Sequence, residues 1–453
     1  MLNTVCSVFL ALALAAGCQK PFVIPDPVEK PAPVYPQGVG DVTVSDAASL
    51  KEALSQAKPG TVILWADGTY SDVAVKVQAS GEEGKPIVLR AQTPGKVVFK
   101  GGSSITLQGS HLVAEGFSFT DLNTSVKGSV LTFAKGSDNC RISYCKIDGS
   151  SSKVSDVDTK WVSMYGTHNE ISHCSFLDKK NMGCLLVVWM EVGIVPEHSI
   201  LNNYFYRPYT HYDDAGKARN SQESIRIGTS DFSMSPARCL VKGNHFYRCH
   251  GERAEIISNK SCFNLYEDNL FEEGEGTLTL RHGNDCEVRR NYFLSGGKSG
   301  VGGVRIIGER HLVEDNVFMN LTGTEYKAAL CVVKGESEAA LNGYWTAKDC
   351  MVRNNLFVDC RQGFVINYGT RSTQDSAPEN LTVSGNRIIS SKSYMIPVSV
   401  LDGTPQEAVK WEGNIIYGGT QKGVSLETVK TAPEYEDPSA AMKLIRENAG
   451  ARW

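Results

Sequence analysis

A five-residue phrase ending in asparagine, any residue and phenylalanine recurs along the chain: LNNYF to Phe205, KGNHF to Phe246, EDNLF to Phe271, RRNYF to Phe293, EDNVF to Phe318 and RNNLF to Phe357. Weaker copies end at Phe119, Ile147, Phe176, Ile388 and Ile416, with successive landmarks 22 to 41 residues apart. Periods of this size with short β-type stretches between them mark a solenoid. A step of 22 residues holds three short strands and three turns but leaves no room for a helix in each repeat. The chain is therefore predicted to be all-β, a single-domain parallel β-helix.

The asparagines at 203, 244, 269, 291, 316, 355, 386 and 414 share one offset from the landmark. Coils stacked ~4.8 Å apart let each inward amide bond the asparagine above and below it, so an asparagine ladder is expected. Cys145 and Cys174 take the same slot in earlier coils, and Cys140, Cys239, Cys286 and Cys350 define a second inward column. These cysteines read as buried thiols, with no metal-ligand spacing among them. The long steps imply insertions at 207–222 and 334–349, which are expected to wall a binding face.

Segments at both ends depart from the repeat. Residues 5–17 form an apolar run too short to span a bilayer, followed by Ala15-Ala16-Gly17-Cys18. This pattern predicts a signal peptide over 1–17 and acylation of Cys18, or else a plain cleaved signal; the lipoprotein reading places the protein in the periplasm or on the outer membrane of a Gram-negative bacterium. A Pro-rich tether spans 18–40, the solenoid 41–430, and a capping segment 431–453. Helices are expected over Ser45–Ala57 and from Asp437 to Asn448, each closing one end of the coil stack. With 46 Lys+Arg against 50 Asp+Glu the net charge is -4, so no nucleic-acid partner is indicated, and the chain is expected to act as a monomer.

Chemistry concentrates in AEIISNK (254–260), GTLTLRHG (276–283) and GVRIIGE (303–309). Lys260 and Arg281 are one coil apart, and Arg305 and Arg226 are expected to extend a basic stripe on the same face. Like charges stacked at coil spacing call for an anion across them, and a polyanionic chain along the axis satisfies that. A uronate polymer can be cleaved by β-elimination, which needs the carboxylate neutralised, the carbon-5 proton removed and the departing oxygen stabilised. Lys260 is the candidate base, since neighbouring cations disfavour its charged form. Arg281 would stabilise the leaving oxygen, and His282 would orient substrate or share the proton.

The stretches AEIISNKS (254–261) and LRHG (280–283), with ESIRIG (223–228) before and GGVRIIGE (302–309) after, resemble polysaccharide lyase family 6, the alginate lyases and chondroitinase B. GKPIVLRAQTPGKVVFKG (84–101) is similar to the family's N-terminal coils. The resemblance implies a right-handed β-helix with Lys260 as base and Arg281 as acid, and an anionic polysaccharide, alginate, as substrate. His282, Arg226, Arg253, Glu255, Arg305 and Tyr368 then fall to substrate handling. Many members bind calcium through an asparagine and a Glu-x-Glu pair, which here reads Arg253-Ala254-Glu255. Asn220 and Glu255 alone are poor in oxygen ligands. The expectation is no required cofactor, with Arg253 pairing the substrate carboxylate; calcium remains an alternative, in which Glu252 rotates in as a further ligand. Mannuronate-rich alginate is the favoured polymer; dermatan sulfate cleavage, or a non-catalytic glycan-binding β-helix, are the alternatives. A hydrolase would need paired carboxylates, and Asp67, Glu255 and Glu275 share no register suggesting one.

Overall fold

The computed structural model of the protein describes residues 39–453; the signal, Cys6, Cys18 and most of the tether lie outside the described residues. Three parallel sheets of 14, 13 and 12 strands run the length of the solenoid, each coil contributing one short strand to each. The landmark residues form one continuous register column from Phe119 through Ile147 and Phe176 to Ile416 in the 13-stranded sheet. From Phe205 to Phe357 neighbouring rings stack with centroids 4.6–4.9 Å apart. That distance is the inter-strand spacing, so the rings fill the core at the period of the backbone itself.

The asparagine ladder forms as expected. Asn291 Oδ1 accepts the backbone N–H of Asn269 and its side-chain amide, at 3.0 and 2.9 Å, while Asn291 Nδ2 donates to Asn316 and to the Tyr266 carbonyl. The same bonds repeat from Asn203 to Asn414. The residue before each rung turns the chain through positive φ, at Asn202, Asp268, Arg290, Asp315 and Asn354 and at Gly243, Gly385 and Gly413. Asn, Asp and Gly are the types that tolerate this region. Arg290 is the exception; Asp268, one coil away, holds its guanidinium at 2.9 Å. Among the described residues eleven cysteines are free and buried, as the inward columns require.

Helix α1 (Ala47–Gln56) covers the first coil. Asp46 caps it by accepting the Ala48 and Ser49 N–H groups, with the Ser49 hydroxyl reciprocating, and Leu50 is buried beneath it. Helix α2 (Ser439–Asn448) also forms, but it does not close the far end. Residues 420–430 do that, pairing Lys422 with Ser399 and Val429 with Tyr417 and packing Val424 and Leu426 on the core. Helix α2 instead lies along the outside of the 13-stranded sheet, where Ala441, Met442 and Ile445 cover Leu270, Tyr292, Val317, Leu356, Val358 and Ile389. The correction has a physical cause: residues 420–430 already cover the last coil, and the apolar strip on the sheet's outer face needs cover of its own. The strap continues back along the solenoid, with Ala451 N–H bonded to Ser175 Oγ and Trp453 Nε1 to the Tyr144 carbonyl.

Glu272 fastens the strap, accepting His245 Nε2 at 2.9 Å and Arg446 NH2 at 2.9 Å. Hydrogen bonding to His245, then to Arg446, holds its carboxyl down to about 2 from 4.5. A depressed carboxylate stabilises the fold above the unfolded value and ceases to do so as pH falls through the folded one. The stability of the wild type should therefore decline between pH 4.5 and about 2 more steeply than that of Glu272→Gln, read by denaturant titration at each pH.

Candidate active site

A cavity of about 750 Å³ opens on the outer face of the 12-stranded sheet, across the strands Glu255–Lys260, Gly276–His282 and Val301–Ile306. Lys260 and His282 are direct Cα partners on adjacent strands. Because Asn259 pairs with Leu280, Arg281 is the extra residue of a β-bulge. The bulge adds local twist and re-aims the side chains at the strand ends. Lys260, Arg281 and His282 all line the cavity. The two cations thus project from neighbouring coils of one sheet, as the spacing predicted.

Insertion 334–349 grips Arg281. Its guanidinium donates to the Gly343 carbonyl at 2.9 Å and the Asn342 carbonyl at 3.3 Å, and lies 4.2 Å from the Tyr344 ring centroid. Arg371 covers the same ring at 4.7 Å. His282 is buried, and desolvation, followed by the charges of Arg281 and Lys260, pushes its imidazole down to about 3. It is therefore neutral at physiological pH, able to orient substrate but not to act as a cationic acid.

The expected basic stripe is two rows instead of one. Arg226 and Arg305 share a register column with Ser258 and Thr279 between them, two positions before Lys260 along the strand. Arg305 lines the cavity and is ion-paired to Glu255. Arg226 is not part of the lining; its guanidinium lies 5.9 Å from the Trp189 ring centroid. Tyr368 lines the cavity and donates its hydroxyl to Glu325 at 3.0 Å. Lys217, Ala218 and Asn220 from insertion 207–222, and Asn342 and Tyr344 from 334–349, complete the walls, as the insertion lengths foretold.

Two expectations change. Arg253 is already engaged: its guanidinium donates to Glu275 at 2.5–2.6 Å and to the Tyr212 hydroxyl at 2.5 Å. The acidic group, in turn, is larger than Asn220 and Glu255. Glu223, Glu252 and Glu255 offer oxygens all within 4.8 Å of one another, whereas Asn220 accepts the N–H of Ser221. Burial, and next the neighbouring Glu223 and Glu255 charges, push the Glu252 carboxyl up to about 9. Three converging carboxylates are hard oxygen donors of the kind calcium takes, so the site fits that ion. Glu252 stands where the sequence allowed it to join Glu255, and Glu223, from the preceding coil, is the acidic neighbour that the Glu-x-Glu pattern does not include.

Residues 44–432 match the sequence profile described as chondroitinase B, and the chain belongs to that family, polysaccharide lyase family 6. The fold is similar to that of the PL6 family alginate lyase AlyGC, with a TM-score of 0.77 and 31% identity over 88% of this chain and 56% of that one. It is also similar to a mannuronic acid specific polysaccharide family 6 lyase from human gut microbiota, with a TM-score of 0.73 and 25% identity over 91% and 96% of the two chains. A third likeness is to the family 6 lyase Pedsa3628 of Pseudopedobacter saltans, with a TM-score of 0.72 and 25% identity over 91% and 100%. The chain spans 56% of the length of AlyGC. No curated protein matches it.

Proposed function

We propose that the protein is a lyase that cleaves alginate by β-elimination, with mannuronate-rich chains as its substrate. The observation that carries this reading is the placement of Lys260 and Arg281 on adjacent strands at one cavity, with His282 the direct register partner of Lys260. The amine of Lys260 removes the carbon-5 proton of a uronate. The bond from carbon 4 to the glycosidic oxygen then breaks and a carbon-4/carbon-5 double bond forms. Arg281, held by the Asn342 and Gly343 carbonyls, stabilises the departing oxygen, which takes up the proton carried on Lys260. Neutral His282 orients the sugar. The mannuronic acid specific relative supports the choice of polymer.

Glu223, Glu252 and Glu255 would hold calcium, which when bound would neutralise the uronate carboxylate and acidify carbon 5. Exhaustive chelation is expected to lower activity ~10²-fold, with recovery on adding calcium alone. Calcium titration followed by calorimetry should lose its heat in Glu252→Gln. Unchanged activity after chelation returns the task to the arginines.

The purified protein is to be assayed at the ultraviolet band of unsaturated uronates on polymannuronate, polyguluronate, mixed alginate and dermatan sulfate. Absorbance growing fastest on polymannuronate supports the proposal; growth on dermatan sulfate alone replaces alginate, and binding without absorbance on any polymer leaves a glycan-binding module. Cys18 acylation, which would tether the enzyme to a membrane, is tested by fatty-acid labelling of the wild type and Cys18→Ser.

A further inference from the structure

Arg253 occupies the position where the sequence comparison anticipated a ligand carboxylate, and its bonds give it a different task. The residue sits at φ 62°, in a left-handed turn directly after Glu252, and lines the cavity beside the three glutamates. Its Nε and NH2 bind Glu275 Oε2, while Glu275 Oε1 takes the Lys327 ammonium at 2.7 Å. The remaining guanidinium nitrogen NH1 reaches Tyr212. Tyr212 begins a tight hairpin within the 207–222 insertion: it pairs with Ala218, and Asp213 accepts the N–H groups of Ala215, Gly216 and Lys217. Lys217 and Ala218 on that hairpin line the cavity. Glu275, largely buried on the next coil, is the inner end of this chain of contacts, and Tyr212, half exposed, is the outer one.

We propose that Arg253 is a positioning residue that latches the 207–222 hairpin to the cavity wall and thereby presents Lys217 to the polysaccharide. Building on the lyase reading, this assigns Arg253 to substrate affinity through the hairpin, not through its own pairing with a uronate carboxylate. The Nε–NH2 edge of its guanidinium already clamps the Glu275 carboxylate, and NH1 is bonded to Tyr212.

A double-mutant cycle with two readouts tests the latch. Arg253→Ala, Tyr212→Phe and the double variant are compared for KM and kcat on polymannuronate, and for tryptic cleavage after Lys217 and Arg219 in the absence of substrate. Each single change is expected to raise KM by about tenfold with kcat little altered, since both remove the charge-assisted Arg253–Tyr212 bond that holds the hairpin. The double variant should be no worse than Arg253→Ala, and cleavage within the hairpin should quicken in all three. If Tyr212→Phe changes neither readout, or if Arg253→Ala raises KM by the same factor in both backgrounds, Arg253 meets the substrate directly and the latch is wrong. Tyr212→Phe removes one oxygen atom and should fold normally. The protease readout needs no catalysis, so a failed lyase assay and a failed latch are told apart.

Discussion

Lys260→Ala is expected to lose unsaturated-product formation by ~10³-fold while keeping its melting temperature and most of its affinity for the polymer. The side chain is partly exposed at a strand end, so its removal empties no core. What vanishes is the group placed to take the carbon-5 proton, in register with His282 and beside the bulged Arg281. Kinetics on polymannuronate, with binding measured separately by calorimetry, divides the outcomes. A variant that binds and turns over like wild type would remove Lys260 from the chemistry. A variant that binds poorly would make it a contact instead of a base.

Asn291→Ala should destabilise the fold by about 3–5 kcal/mol in urea titration. Its amide satisfies the Asn269 backbone and side chain on one side and reaches the Tyr266 carbonyl and Asn316 on the other, all buried. Truncation strands these groups where no water replaces the lost partner. Asn414, the last rung and only partly buried, is the internal control, and Asn414→Ala should cost about 1 kcal/mol. Equal costs at the two positions would mean that the ladder follows the coil stack without supporting it.

The repeat was legible because a solenoid forces equivalent residues into register, and every landmark from Phe119 to Ile416 occupies one column. The placement of Lys260 and Arg281 on adjacent strands was legible for the same reason, each being referable to the nearest asparagine. Contacts made outside the repeat were not. Arg253 bonds partners 22 and 41 residues away, one of them on an insertion whose path no periodicity describes. Glu223 and Glu252 belong to successive coils, and the positive-φ turn at Arg253 follows Glu252 directly.

The sequence did hold a sign of the strap. The residue between each ladder asparagine and its phenylalanine reads Leu270, Tyr292, Val317 and Leu356 in four successive repeats, an outward apolar row that needs cover. Composition of α2 discloses an apolar face but not the surface it will meet.

That strap changes how the solenoid can come apart. In an array joined only through nearest neighbours, end coils can peel away one at a time while the middle persists. Here residues 439–453 reach back past Glu272 and Ser175 to Tyr144, so late and early coils share a tie. Fraying from the last coil pulls on the middle, and the apolar row stays bare until the closing residues have been synthesised. Residues 439–453 therefore complete the cover of that row, and a chain truncated just before them would keep its coils yet carry an exposed flank ready to associate with its own copies.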